Sequence, residues 1–159
     1  MEKLILKSVF RNKEFIPAKY ARDGENINPL LEIRNVSEAA KSLVLIMDDP
    51  DATSLPAGQK AWDHWIVWNI DPKSQYIPEG ELPEGARVGK NTRGEEKYGG
   101  PYPPVGSKPH RYFFKLYALD VVLELPAGSN KKEVEEAMIG HVLEQASLVG
   151  MYQRKTDGF

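Results

Sequence analysis

Ser42-Leu43-Val44-Leu45-Ile46-Met47-Asp48-Asp49-Pro50-Asp51-Ala52 is the stretch that decides how this chain folds. Five consecutive large apolar residues, Leu43 to Met47, leave no face for water, and the β-branched Val44 and Ile46 suit an extended backbone. Such a run fits a strand covered on both faces. The change at Asp48 is abrupt. Pro50 has no amide hydrogen and keeps Asp49 out of the helical region, so the strand stops here and leaves a carboxylate at the rim of a sheet. A polar turn, where Asp and Pro are common for reasons of shape alone, explains the same residues, and on local grounds both readings are open.

Other strands lie on either side. Trp62 to Ile70 is apolar on both faces, as a central strand should be, and Arg111 to Leu119 is similar, with Tyr112, Phe113, Phe114, Leu116 and Tyr117. Leu4 to Phe10, Leu30 to Val36 (after Pro29) and Ser147 to Arg154 read as shorter or weaker strands. The 13 glycines and 12 prolines concentrate between Ile77 and Pro109, which predicts turns and loops around short strands. One helix is expected. Asn130 is a good N-cap and Glu133 completes a capping-box pair. Val134, Met138, His141 and Val142 follow at helical spacing, and Gly150 lies past the expected end. The sum is a mostly-β chain, one domain over 1–159, with a helix near the C-terminus. Pattern alone does not separate a sandwich from a barrel.

Composition removes several function classes. The chain has no cysteine, so a disulfide scaffold, a zinc–thiolate site and a cysteine nucleophile are excluded. Its 159 residues suffice to bury roughly two thirds of the unfolded surface without a metal or disulfide. A net charge of −2 carries none of the basic footprint of a nucleic-acid binder. No apolar run approaches the ~18 residues of a membrane span, and the N-terminal Met1 to Lys7 is too mixed for a signal-peptide core. Cytoplasmic location is the resulting expectation.

Polar chemistry gathers beside the strands. In Trp62-Asp63-His64-Trp65, alternation puts His64 on the face of Trp62, Ile66 and Trp68, with Asp63 pointing the other way toward solvent. A core histidine with one satisfied hydrogen bond competes with a site histidine there. The long run Gly89 to Tyr112 is an extended loop feeding a strand on which His110, Tyr112 and Phe114 share a face. Its prolines stiffen it, and its glycines would let backbone N–H groups approach an anion. Loops of this length are often functional. Asp49, His64 and His110 converge only if distant strands are neighbours.

Asp49-Pro50-Asp51-Ala52, then Trp62-x-His64-Trp65, then Gly100-Pro101-x-Pro103-Pro104-x-Gly106-x-x-x-His110-Arg111-Tyr112, resemble in order and spacing the phosphatidylethanolamine-binding protein family. Tyr98-Gly99-Gly100-Pro101 and Leu116-Tyr117-Ala118-Leu119-Asp120 are similar to its bacterial and archaeal branch. Ile16-Pro17, Tyr20, Asp23-Gly24, Asn26 and Pro29 match as well. The resemblance implies two packed antiparallel β-sheets with a C-terminal helical element. It also implies a pocket for phosphate, another small anion or a phospholipid head group, made by Asp49, Trp62, His64, Pro103, Pro104, His110 and Tyr112, with Tyr98 and Gly100 in the wall. Asp51 matches a structural aspartate. Thr53 stands where the family motif usually has proline, Asp63 stands where many relatives carry another histidine, and the closing C-terminal helix of animal relatives is not evident.

The expected pocket chemistry is binding without a cofactor, metal or catalysis. Asp49 accepts an imidazole N–H and keeps that ring cationic, and cationic imidazoles with loop N–H groups hold the oxyanion. Alternatively, Asp49 pairs with an ethanolamine ammonium. A His/Asp-dependent or metal-assisted phosphoesterase is the rival reading. The resemblance further implies a regulator or inhibitor of a protease or kinase as one role, and a homodimer as one assembly.

Overall fold

The structure is a computed structural model and describes residues 2–155. Its elements run β1 (Ile5–Ser8), a 3-10 turn (Ala18–Tyr20), β2 (Leu31–Arg34), β3 (Ser42–Asp49), β4 (Trp62–Ile70), β5 (Tyr76–Ile77), β6 (Arg87–Val88), β7 (His110–Leu119), α1 (Lys131–Met138) and β8 (Val142–Tyr152). They form two antiparallel sheets, a small one ordered β1-β2-β5 and a large one ordered β6-β4-β3-β7-β8. As expected, residues between Ile77 and Pro109 are turns and loops apart from the two-residue β6.

The apolar run of β3 is explained by its place at the centre of the large sheet. Leu43, Leu45 and Met47 face the small sheet and pack with Leu6, Leu31, Ile33 and Ile77. Val44 and Ile46 face the other way, with Ile66 and Trp68, under Leu123 and the α1 residues Val134 and Met138. The molecule is thus a sandwich with a helix laid on its outer face. Each such aliphatic side chain, fully buried, contributes ~1.5–3 kcal/mol.

The helix forms where its cap predicts. Asn130 accepts from the Glu133 amide at 2.9 Å, and Glu133 accepts from the Asn130 amide at 3.1 Å. It is shorter than its apolar stripe suggested, because Gly140 takes φ +83° and turns the chain. His141 and Val142 lie outside it, and β8 begins at Val142 rather than near Ser147. Gly150 is therefore a strand residue, not a residue past a helix. A Cβ there would fall 2.4 Å from Ile16 Cγ1. Its absence lets residues 14–16 cross β8, where Ile16 N–H donates to Met151 O at 2.8 Å and Met151 N–H donates to Glu14 O at 2.9 Å.

The pairing of β3 with β4 corrects a second expectation. Met47 stands opposite Trp65, but Asp48 stands opposite Asp63, so the register steps over His64. This bulge breaks the simple alternation. Asp63 shares the helix-side face with Asp48 instead of reaching solvent. It is 7% exposed, and its Oδ1 lies 2.6 Å from Lys131 Nζ at the start of α1. His64 turns to the opposite face, away from Ile66 and Trp68, and its ring meets Tyr112 edge-on at 5.2 Å.

Candidate functional site

The C-terminal end of β3, the N-terminal end of β4 and the N-terminal end of β7 lie side by side, because β3 pairs antiparallel with both neighbours. One end of the large sheet thus collects Asp49, Trp62, His64, His110 and Tyr112 around a cavity of about 180 Å³. Gly100, Pro103 and Pro104 supply part of its wall.

Asp49 is the anchor. It is 3% exposed, and both its oxygens are occupied. Oδ1 accepts the Asp51 amide at 2.7 Å, and Oδ2 accepts His110 Nδ1–H at 2.7 Å. Burial pushes the Asp49 carboxyl above its ordinary value, against the opposing pull of these two donors. Asp51 does not enter the cavity lining. It accepts from the Arg111 amide at 2.9 Å and from Nε and Nη2 at 3.0 and 2.9 Å, which welds the Asp-Pro-Asp turn to β7. The Arg111 bonds hold its carboxyl below the usual range.

The two imidazoles are not equivalent. His110 has its Nδ1 2.7 Å from Oδ2 of the buried Asp49 carboxylate. His64 has its Nδ1 at 2.8 Å from the Gly99 carbonyl, which requires a proton on that nitrogen. Burial depresses the His64 pKa from 6.5 to about 4, outweighing the Gly99 bond. The expectation of several cationic imidazoles therefore fails at His64, which is neutral at neutral pH. Tyr112 is fully buried beside both rings, and burial and then Asp49 raise its pKa, so the phenol keeps its proton.

The glycine loop also differs from expectation. Gly99 N–H donates to the His64 carbonyl at 3.0 Å, and Gly100 N–H donates to Asn26 Oδ1 at 2.7 Å. These amides are spent inside the protein and do not line up for an anion. Glycine is needed at 100 for space, since a Cβ would meet the Tyr20 carbonyl oxygen at 2.2 Å. Tyr98 is not a wall residue of this cavity. Its ring meets Trp65 edge-on at 5.5 Å, and its hydroxyl donates to Tyr20 O at 2.9 Å, behind the wall.

Sequence reasoning missed Arg22, Asn91, Arg93, Tyr102 and the Ala52–Ser54 turn, all of which line the cavity. Arg22 reaches it through a bond to Glu95 at 3.0 Å, and Asn91 organises the 91–97 loop through Glu95 N–H (2.9 Å) and Lys97 O (3.1 Å). The partner of Arg22 lies 73 residues away, which no local motif reveals, whereas Asn91 bonds within its own loop. Among the described residues, no three His, Asp or Glu side chains stand where they could hold a metal ion. No helix among them is long and apolar enough to cross a membrane.

Fold and site together define a β-sandwich protein with a buried Asp–His pair in a pocket at the end of its large sheet. The family model of the phosphatidylethanolamine-binding proteins matches residues 6–153, and the chain belongs to that family. A UPF0098 protein of Pyrococcus horikoshii is 49% identical, covering 97% of this chain and 79% of its own. Among solved structures, the family homolog CT736 of Chlamydia trachomatis superposes with a TM-score of 0.89 at 41% identity, covering 96% of this chain and 98% of its own. YbcL of E. coli, described as a member of the mammalian family, gives 0.86 at 29% identity, covering 96% and 99%. A carboxypeptidase Y inhibitor solved with its cognate proteinase shares the fold alone, at 16% identity and a TM-score of 0.57 over 90% of this chain and 76% of its own.

Proposed function

We propose that this chain is a binding protein, not an enzyme, whose pocket takes a small oxyanion, foremost a phosphate group, free or as a lipid head group. The observation that carries the reading is the buried Asp49–His110 pair at 2.7 Å. It orients one imidazole so that only Nε2 is left for a ligand, beside a carboxylate that can offset positive charge on the ring. Arg93 lends positive charge to the lining, where Arg22 is already paired with Glu95. Two departures from the family pattern, Thr53 and Asp63, do not touch this pair.

Calorimetric titration of phosphate into the protein from pH 5 to 9 tests the reading. Binding should weaken toward the alkaline end of that range and should vanish in His110→Ala. Affinity unchanged across that range, or kept in the variant, ends it. The phosphoesterase reading rests on the same Asp–His pair acting as acid and base. Phosphomonoester and phosphodiester turnover, with and without Mn²⁺, separates the two, and none is expected. A protease or kinase partner is the looser extension. Capture that depends on His64 and His110 would tie such a partner to the pocket. Cytoplasmic location accords with a chain free of cysteine.

A further inference from the structure

We infer that the pocket selects an oxyanion that still carries a proton, a hydrogen phosphate or phosphate monoester, over one that carries none, such as sulfate or a phosphodiester. This rests on the oxyanion reading above and narrows it, since a lipid head group joined through a phosphodiester falls on the disfavoured side and a free phosphate or a monoester on the favoured one. The geometry is that of two imidazoles with opposite hydrogen-bonding polarity. His110 gives Nδ1–H to the buried Asp49 carboxylate, which offsets the charge of a ring that carries hydrogen on Nε2 as well, and that Nε2–H is a donor. His64 gives Nδ1–H to the Gly99 carbonyl, so its neutral ring presents a bare Nε2, an acceptor. The side-chain hydrogen bonds of both rings run through Nδ1, and both rings border the cavity.

A ligand spanning both rings must accept at one oxygen and donate at another. Hydrogen phosphate does both. Sulfate near neutrality, although similar in shape, has no hydrogen to offer and would set an oxygen lone pair against the His64 lone pair. A phosphodiester monoanion has the same defect. An unmatched buried polar pair costs affinity whatever the other contacts provide.

The surroundings keep His64 in this state. Tyr112 of β7 packs on its ring edge, and the Gly99 carbonyl holds Nδ1. Asp48 of β3 favours charge on the ring from a distance, while Arg93 of the loop opposes it. Around His110 stand Asp49, Asp51 and the stacked Tyr112 ring. Burial dominates at His64, whose pKa of about 4 makes protonating it at pH 6 cost about a hundredfold in affinity. That factor bounds the selectivity.

The test compares phosphate and methyl phosphate with sulfate and dimethyl phosphate on the full chain by calorimetry at about pH 6, where a monoester keeps a proton on much of its population. The first pair should bind at least about tenfold tighter than the second. The advantage over sulfate should shrink toward pH 4 as His64 becomes a donor. Sulfate matching phosphate overturns the inference while leaving the oxyanion reading intact, whereas binding of none of the four removes both. In His64→Gln the amide can turn an N–H toward the ligand, so the phosphate-to-sulfate ratio should fall toward one. An undiminished ratio in that folded variant refutes the assignment to His64, and the wild-type ratio stands as a test should the variant not fold.

Discussion

Lys131, the first residue of α1, lies 2.6 Å from Asp63 on the bulged strand β4 and 3.1 Å from Asp48 on β3. Lys115 of β7 reaches Asp48 as well, at 3.1 Å. Burial opposes the charge on Lys131, but Asp63 and Asp48 outweigh it and raise its pKa. Burial raises the Asp63 carboxyl against the pull of Lys131. This cluster holds Asp63 to the helix side, and in doing so it leaves His64 to the pocket side.

Lys131→Met should therefore cost about 3–5 kcal/mol in urea unfolding at neutral pH, because it strands a buried carboxylate. The deficit should shrink as pH falls through the raised pKa of Asp63. Adding Asp63→Asn should restore much of the stability. A variant as stable as the parent would show that the cluster does not hold the bulge.

His64 makes stability depend on pH in a defined window. Its pKa is about 4 folded against 6.5 ordinarily, so between these values the unfolded chain binds a proton that the folded one refuses. Stability is therefore full above about pH 6.5 and falls toward pH 4, by about 3 kcal/mol in total. Asp49 and Asp63 have raised values and act with the opposite sign, gaining stability as pH falls, so the measurement is the difference between wild type and His64→Gln. Parallel unfolding curves for the two proteins across this window would contradict the assignment.

Gly100→Ala should destabilise by about 3 kcal/mol or more, since the added Cβ meets the Tyr20 carbonyl and the Ala21–Arg22 backbone, which cannot rotate away. Hydrogen exchange should rise first at the Gly100 and Arg22 amides, whose bonds to Asn26 Oδ1 and Pro101 O hold the wall.

Arg154 braces the same wall from the other end of the chain. Its guanidinium lies 3.9 Å from the centre of the Tyr102 ring, and Nη1 donates to Pro103 O at 3.2 Å. Arg154→Ala should weaken phosphate binding a few-fold while changing stability by only about 1 kcal/mol. Unchanged affinity by calorimetry would mean the wall holds its shape without this brace.

Strand positions were legible because burial on two faces leaves an unbroken apolar run, as in Leu43 to Met47, and the Asn130–Glu133 cap was legible because it is local. The helix end was not. The stripe continued through His141 and Val142, and only the turn at Gly140 and the pairing of Val142 with Leu119 show that a strand begins there. The face of His64 is hidden from the sequence for a related reason, since a bulge shows only when both strands are paired in register.

By itself, the sequence determined which side chains could carry the chemistry, Asp49, His64 and His110, and the strands that bear them, because residue type and hydrophobic period are local properties. Tertiary structure alone decided what each one does. His110 faces a carboxylate and His64 faces a carbonyl, and a hydrogen-bond partner brought in from 35 or 61 residues away sets which ring nitrogen is engaged inside the protein.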